Sequence, residues 1–287
     1  MEAAFFDLDK TVIAKASMMA FGRSFLREGL VSRRTMLRGA YAHVVYMHLG
    51  ASEQKLARIR ESVLTLTRGW EQDRVRDIVV EALEAVIEPI IYAEAIELIE
   101  HHKAEGRRVY IVSAAPEEIV IPLARFLGVD ESISSRADVD ADGRYTGEMG
   151  VYAYGPYKAD IMREVAEKEG LDLANSYAYS DSYTDLPMLE AVGHPVAVNP
   201  DRVLLRAARE HGWEVRSFVH PVRLRDRMPA PRPGPTAAVG GFIVAVVAGA
   251  VVWWRIRRNR ALHPPPSGGR ATLSRLATSV QQRRRGQ

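Results

Sequence analysis

Short apolar runs alternate with stretches of helical periodicity over most of the chain. Four runs rich in β-branched and aromatic residues are typical of buried parallel strands, at residues 3–6, 109–112, 177–179 and 196–198. Helical patterns accompany them at residues 92–103, 116–126, 157–169 and 185–192. The alternation predicts an α/β fold built on a doubly wound parallel sheet.

Residues 17–88 interrupt this alternation with four consecutive helical patterns. Helices are predicted at Ser17–Glu28, Ser32–His48, Ser52–Thr67 and Glu71–Val86, the first three opened by serine caps. An all-helical insert directly after the first strand predicts a cap, over about residues 15–90, that covers the carboxyl edge of the sheet. Farther along, Asp140-Ala141-Asp142-Gly143 predicts a hairpin turn. A calcium loop is the alternative for those aspartates, but no further ligands follow.

The last part of the chain has a different pattern. Four prolines between residues 229 and 236 favour an extended linker after a first domain of residues 1–228. Residues 237–254 carry no charge and end in two tryptophans followed by arginines, which is typical of a membrane-spanning helix and its interface. A buried core helix is the alternative. Residues 255–287 are predicted to be a basic, disordered tail.

Composition and charge narrow the function classes. The hydrophobic fraction of 47% is that of a globular protein, and the absence of cysteine excludes disulfides, thiolate metal sites and a cysteine nucleophile. The net charge of +3 is the sum of +10 on residues 229–287 and −7 on residues 1–228, so the basic character belongs to the last part of the chain alone.

The orientation of the predicted membrane helix follows from two opposing signals. The beginning of the sequence lacks the pattern of an export signal, which favours a cytoplasmic location for residues 1–228. The positive-inside rule slightly favours a cytoplasmic tail instead, because four arginines lie in the 20 residues before the helix and five in the 20 after it. Because long domains need an export signal, we expect a single-pass membrane protein with residues 1–228 in the cytoplasm.

Polar residues follow the predicted strands at one edge of the sheet. They are the run Asp7-Leu8-Asp9-Lys10-Thr11, then Ser113, then Asp181 with Asp185, while Lys158 opens the intervening helix. Each alone has an ordinary explanation as a turn, a cap or a surface residue. Ligands bind at the carboxyl ends of parallel strands, and gathered carboxylates repel one another unless a cation compensates. Oxygen ligands without a His/Cys cluster indicate Mg²⁺, which works with phosphates.

This ordered set resembles the four motifs of the haloacid dehalogenase superfamily. The helical insert, with the segments VYIVSAAPE, DGRYTGE and SYAYSDSYTDLPML, resembles its IB subfamily of phosphoserine-phosphatase-like hydrolases. The resemblance covers about residues 3–219 and implies a Rossmann-like core. By this resemblance Asp7 is the nucleophile that forms a phosphoaspartyl intermediate, and Asp9 is the general acid and base. Ser113 and Lys158 bind the phosphoryl oxygens.

The resemblance also implies a magnesium site. Asp181 would bind Mg²⁺ together with Asp7 and the main-chain carbonyl of Asp9. Asp185 would support these ligands, and Thr11 would brace the first loop.

Two positions depart from the family pattern. Phosphoserine phosphatases carry a cap glutamate nine residues after the nucleophile, and Ala16 stands there, so phosphoserine specificity is not implied. Lys10 stands where small residues are common. It creates Asp9-Lys10-Thr11, which resembles the motif of cation-pumping ATPases with Asp9 as nucleophile. A pump needs many membrane helices, so that alternative is rejected. The cap arginines are candidates for substrate contacts: Arg23, Arg27, Arg33, Arg34 and Arg38.

The sequence therefore predicts a Mg²⁺-dependent phosphomonoesterase that acts on a small phosphorylated metabolite and is tethered to a membrane. The alternatives are a phosphoserine phosphatase proper, a membrane-anchored binding module without turnover, and a protein whose arginine tail binds nucleic acid or anionic lipid. All motif residues are present, which favours the enzyme. A basic tail beside a membrane helix favours lipid headgroups over nucleic acid.

Overall fold

The computed structural model describes residues 1–36 and 53–219, with side chains in the second range from residue 57 onward. The chain divides into two units, Met1–Met228 and Pro229–Gln287, and every described residue belongs to the first. The predicted linker at 229–236, membrane helix at 237–254 and tail at 255–287 therefore lie outside the described residues. Within the described residues, no helix is both long enough and apolar enough to span a membrane.

A seven-stranded sheet organises the described part of the chain, in the order β4-β3-β2-β1-β5-β6-β7. Its strands are β1 (Ala3–Asp7), β2 (Arg108–Pro116), β3 (Glu131–Val139), β4 (Tyr145–Val151), β5 (Tyr177–Ser180), β6 (His194–Val198) and β7 (Glu214–Arg216). Neighbouring strands run parallel, except that β4 is antiparallel to β3. The α/β prediction is confirmed, and the four predicted runs lie within β1, β2, β5 and β6.

Helices cover both faces of this sheet. They are α1 (Ser17–Arg27), α2 (Glu53–Thr67), α3 (Gln72–Ile87), α4 (Ala93–Ala104), α5 (Glu117–Leu127), α6 (Pro156–Glu169), α7 (Leu186–Glu190) and α8 (Arg202–His211). Because side chains alternate along a strand, Ala4 and Phe6 of β1 pack in one core with α1, α3, α4 and α5. Ala3 and Phe5 pack in the other core with α6, α7 and α8. Burial on both faces explains why β1 is continuously apolar.

The predicted cap is helical where the structure describes it. Helices α1, α2 and α3 correspond to three of its four predicted helices, and residues 33–36 are the described start of the other. Ser32 caps that start, since its Oγ accepts from the Thr35 amide at 3.1 Å. The predicted Ser17 cap is wrong: Ser17 is the first helical residue of α1, and Ala16 is the N-cap. Ser52 lies outside the described residues.

The hairpin between β3 and β4 is confirmed and supports the cap. Asp140 Oδ1 accepts from the amides of Asp142 and Arg144, and Gly143 adopts a φ of +73° that favours glycine. Main-chain hydrogen bonds join Tyr145 of β4 to the segment between α2 and α3: the Gly69 amide donates to the Tyr145 carbonyl, and the Tyr145 amide donates to Trp70. The hairpin thus fixes the base of the cap to the sheet.

Candidate active site

The loop after β1 is a tight, well-anchored turn. The Leu8 carbonyl accepts from the amides of Val12 and Ile13, both at 3.0 Å. The carboxylate of Asp9 accepts from the Ser17 amide at 2.8 Å, which is the first amide of α1. This side chain satisfies an amide at the helix terminus that has no partner within the helix. The cap therefore begins at the site itself, and Asp9 is held in a fixed orientation.

A buried lysine joins two aspartates from different parts of the sheet edge. Helix α6 precedes β5, so its first turn lies at the carboxyl edge of the strands and brings Lys158 there. The Lys158 side chain is only 3% exposed. Its Nζ donates to Asp7 Oδ1 at 2.5 Å and to Asp185 Oδ2 at 2.8 Å. Lys158 is therefore not a solvated surface lysine.

The remaining predicted site residues lie near this contact. Ser113 is buried in β2, one residue beyond Val112, which pairs with Asp7. Its Oγ accepts from the Ala115 amide at 3.1 Å. Thr11 is fully buried, and its hydroxyl has no hydrogen-bond partner among the described residues, so any bracing of the loop is by packing.

Asp181 directly follows β5 and is mostly buried. Its carbonyl accepts from the Asp201 amide at 2.8 Å. Lys10 Nζ lies 4.0 Å from Asp181 Oδ2, beyond hydrogen-bond distance. Asp181 is thus fixed through its main chain, while its carboxylate is paired only at long range.

Burial dominates the ionisation of the site. It raises the pKa of Asp7 well above its usual value, opposed by Lys158 and reinforced by Asp185 and Asp181. It also raises the pKa of Asp181 to about 7, where Lys10 opposes the shift and Asp185 adds to it. For Lys158, burial lowers the pKa, but Asp185 and Asp7 raise it by more, so its pKa lies above the usual value and it remains charged.

Asp9 has the properties of a group that can carry a proton. Burial raises its pKa, and the hydrogen bond from the Ser17 amide opposes that shift only in part. A carboxyl group with a raised pKa holds its proton more readily than an exposed one, which suits a group that donates a proton and later accepts one.

The donor set fits a hard divalent cation. Within the described ranges, no group of three or more His, Cys, Asp or Glu side chains could hold a metal by itself. Asp7 and Asp181 supply two carboxylates whose pKa values are raised mainly by burial and further by neighbouring carboxylates, so a cation between them would favour their ionised forms. Mg²⁺ retains several water ligands and is commonly bound by one or two carboxylates, so these groups with the Asp9 carbonyl suit it.

Three positioning contacts were not predicted from the sequence. Ser180 Oγ at the end of β5 donates to Asp185 Oδ2 at 2.7 Å. Asp201 Oδ2 accepts from the Tyr183 amide at 2.9 Å and so ties the turn after Asp181 to the start of α8. The Ser17 amide holds Asp9. The sequence could have indicated Ser180, because it is a hydroxyl residue immediately before Asp181. The contacts of Asp201 and of the Ser17 amide depend on how the folded chain brings segments together, so the sequence does not indicate them.

The sequence is similar to a known protein family and to several known proteins. The family model of haloacid dehalogenase-like hydrolases matches residues 4–190. An "inhibition of morphological differentiation protein" of Streptomyces azureus is 49% identical over 90% of this chain and 94% of its own. A probable phosphatase of Mycobacterium tuberculosis is also 49% identical, over 89% of each chain. A phosphoserine phosphatase of the same organism is 34% identical over 86% of this chain and 80% of its own.

Solved structures share the fold. A protein of unknown function from Bordetella pertussis superimposes with a TM-score of 0.65 and 29% identity, over 75% of this chain and 97% of its own. A phosphoserine phosphatase with a phospho-aspartyl intermediate analogue gives a TM-score of 0.55 over 78% of this chain and 96% of its own. Its identity of 20% makes this a likeness of fold alone.

Replacing the buried lysine tests how the site is held together. Lys158→Met should lower the free energy of unfolding of residues 1–228 by about 3–5 kcal/mol at pH 7, because it leaves two carboxylates buried without their cation. The loss should shrink as the pH falls. Protonation of Asp7, whose pKa in the folded state is already raised, then removes unpaired charge, so the folded variant binds more protons than its unfolded chain.

Urea unfolding in metal-free buffer between pH 7 and pH 4 measures this effect. Lys168→Met replaces an exposed lysine of the same helix and should change stability by less than about 0.5 kcal/mol. Equal effects of the two substitutions would contradict the buried contact.

Proposed function

Because the chain belongs to the haloacid dehalogenase-like hydrolase family and is one of its phosphatases, we propose that it hydrolyses a small phosphorylated metabolite through a phosphoaspartyl intermediate on Asp7, with Mg²⁺ as cofactor. The observation that carries the proposal is the contact of buried Lys158 with Asp7 and Asp185 at the carboxyl edge of the sheet. It places a permanent cation beside the candidate nucleophile, where a phosphoryl group would bind.

The first half-reaction transfers the phosphoryl group to the enzyme. A carboxylate oxygen of Asp7 attacks phosphorus, and the bond from phosphorus to the alcohol oxygen breaks. Asp9 donates its proton to that departing oxygen, so that a neutral alcohol leaves. Proton transfer of this kind contributes about 10²–10⁴-fold to the rate.

The second half-reaction regenerates the enzyme. Asp9, now ionised, accepts a proton from a water molecule as that water attacks phosphorus. The bond between phosphorus and the Asp7 oxygen breaks, which releases inorganic phosphate and restores the Asp7 carboxylate. The hydrogen bond from the Ser17 amide keeps Asp9 in one place for both steps.

The surrounding groups stabilise charge on the phosphoryl oxygens. Lys158 and Ser113 would hold those oxygens, and the second carboxylate on Lys158, that of Asp185, keeps the ammonium in position. Asp7, Asp181 and the carbonyl of Asp9 would hold the metal. When bound there, Mg²⁺ supplies Lewis-acid stabilisation of the transferring group.

A phosphoserine phosphatase proper is the second candidate, since one relative at 34% identity carries that name. The N-cap of α1 is Ala16, whose methyl group offers no carboxylate to a substrate ammonium. The ammonium group of phosphoserine would then be left unpaired when the site closes, which reduces any preference for phosphoserine over other phosphomonoesters. We therefore assign the reaction type to this chain and not phosphoserine as the substrate. A binding module without turnover would not need the full set of nucleophile, acid and phosphate ligands.

We also propose that residues 237–254 anchor the enzyme to a membrane, with the catalytic domain on the cytoplasmic side. The support is the uncharged stretch that ends in two tryptophans and arginines. The alignment to the Streptomyces relative spans 90% of this chain, so the similarity extends past residue 228.

Phosphate release from a panel of phosphomonoesters tests the enzymatic proposal. Turnover should require Mg²⁺ and should be lost on addition of a chelator. Asp7→Asn should abolish it, because the amide is not a nucleophile and is a poorer metal ligand. Asp142→Asn, in the exposed hairpin turn, should keep wild-type activity. Activity that survives in Asp7→Asn would contradict the assignment of the nucleophile, and activity unaffected by chelation would contradict the cofactor.

The anchor proposal is tested by truncation and fractionation. A chain ending at Met228 should be soluble and active, because all the proposed site residues precede that point. The full chain should stay with membranes through a high-salt wash, since a spanning helix is held by apolar burial and salt screens only charge. Release of the full chain by salt alone would indicate a peripheral contact through the arginines.

A further inference from the structure

Within the motif of residues 7–11, Lys10 is the charged residue that the proposed reaction does not use. It lies between Asp9 and Thr11 and has a φ of 64°, a left-handed conformation that side-chain-bearing residues rarely adopt. The turn closed on the Leu8 carbonyl imposes this conformation and fixes the direction in which the side chain leaves the loop.

The ammonium of Lys10 lies at the rim of the site. Its side chain is 48% exposed, whereas that of Lys158 is 3% exposed. Its Nζ lies 4.0 Å from Asp181 Oδ2, and Lys10 directly follows Asp9 in the chain. The site thus has two cations at different depths: one enclosed beside the nucleophile and one that solvent reaches.

Lys10 has no hydrogen-bond partner among the described residues, and its ion pair with Asp181 is long, at 4.0 Å. The carboxylate of Asp201 already accepts hydrogen bonds from the main-chain amides of Tyr183, Val203 and Leu204. Asp181 is a proposed metal ligand, and a carboxylate bound to Mg²⁺ is a weak partner for a lysine. In the working enzyme the Lys10 ammonium is therefore available to an anion that arrives from solvent.

The position of Lys10 indicates where that anion belongs on the substrate. The preceding residue, Asp9, is the proposed proton donor to the departing alcohol oxygen, so the alcohol portion lies on this side of the site. Ala16, at the start of α1, contributes no charge there. A cation whose neighbouring carboxylates are engaged by the metal and by the reaction favours a negatively charged group and disfavours an ammonium group.

We propose that Lys10 is a specificity-determining residue that binds an anionic group on the alcohol portion of the substrate, so that the preferred substrates are phosphomonoesters of hydroxy acids or similar anionic alcohols. This inference rests on the proposed function, because it requires that phosphomonoesters bind with their alcohol portion beside Asp9.

The test compares two ligands that differ in one group. 3-Phosphoglycerate and glycerol 3-phosphate have the same carbon chain, with a carboxylate in the first where the second has a hydroxymethyl group. Their inhibition constants against hydrolysis of p-nitrophenyl phosphate, in the presence of Mg²⁺, measure binding whether or not either is turned over. The wild type should bind 3-phosphoglycerate about tenfold more tightly, the size expected for a partly exposed hydrogen bond between charged groups.

Substitutions then assign the preference to Lys10. Lys10→Met should bring the ratio of the two inhibition constants close to one, and Lys10→Arg should keep most of the preference. Lys15→Met, which replaces an exposed lysine a few residues along, should keep the wild-type ratio. If Lys10→Met does not fold, Lys10→Gly provides the same test, because glycine adopts the left-handed conformation without strain.

The outcomes separate the two proposals. A wild type that does not hydrolyse p-nitrophenyl phosphate with Mg²⁺ contradicts the proposed function, and with it this inference. A wild type that is active but has equal inhibition constants contradicts the role of Lys10 alone. The same conclusion follows if Lys10→Met weakens both ligands equally, since that is the effect of a residue that only shapes the loop.

Discussion

The ammonium of Lys158 lies buried between the carboxylates of Asp7 and Asp185, and the other features of the site depend on this contact. It joins the end of β1, the turn after β5 and the first turn of α6. These segments meet because β1 and β5 are adjacent in the sheet and α6 precedes β5. Two carboxylates could not be buried here without a cation, and a lysine could not be buried without its carboxylates. The chain fold and the charge arrangement therefore require each other.

The lysines do not balance the carboxylates of this edge. Among the residues that the structure describes, the cations paired with Asp7, Asp181 and Asp185 are Lys158 within the site and Lys10 at its rim, and Asp9 adds a fourth carboxylate. Burial is the main cause of the raised pKa values of Asp7 and Asp181, and neighbouring carboxylates add to the rise. A divalent cation would compensate the negative charge of these carboxylates when they are ionised, which is the physical reason for assigning Mg²⁺. Burial raises the pKa of Asp9, which favours the protonated form that general acid catalysis requires.

Much of the fold could be predicted because its signals are local. Strand β1 is apolar at successive positions since it is buried on both faces, and polar residues at strand ends must meet at one edge of a parallel sheet. The features that could not be predicted depend on contacts that form only in the folded chain. Ser17 is a residue type that often caps a helix, but here it is the first helical residue, and the carboxylate of Asp9 accepts the hydrogen bond from its amide. Strand β7 has only three residues and forms by pairing with β6, so no periodicity marks it. The burial of Lys158 depends on partners 151 and 27 residues away.

The central claim is that Asp7 is the nucleophile and Asp9 the proton carrier. Mass spectrometry of the Asp9→Asn variant, quenched in acid after exposure to a phosphomonoester with a good leaving group, tests it directly. Such a substrate needs little protonation to react, and the water that would release the phosphoryl group lacks its base, so the intermediate should accumulate. The account predicts a phosphoryl group on Asp7, absent when Asp7 is also replaced by asparagine. A phosphoryl group found on Asp9 of the wild type, retained in Asp7→Asn and missing in Asp9→Asn, would contradict it.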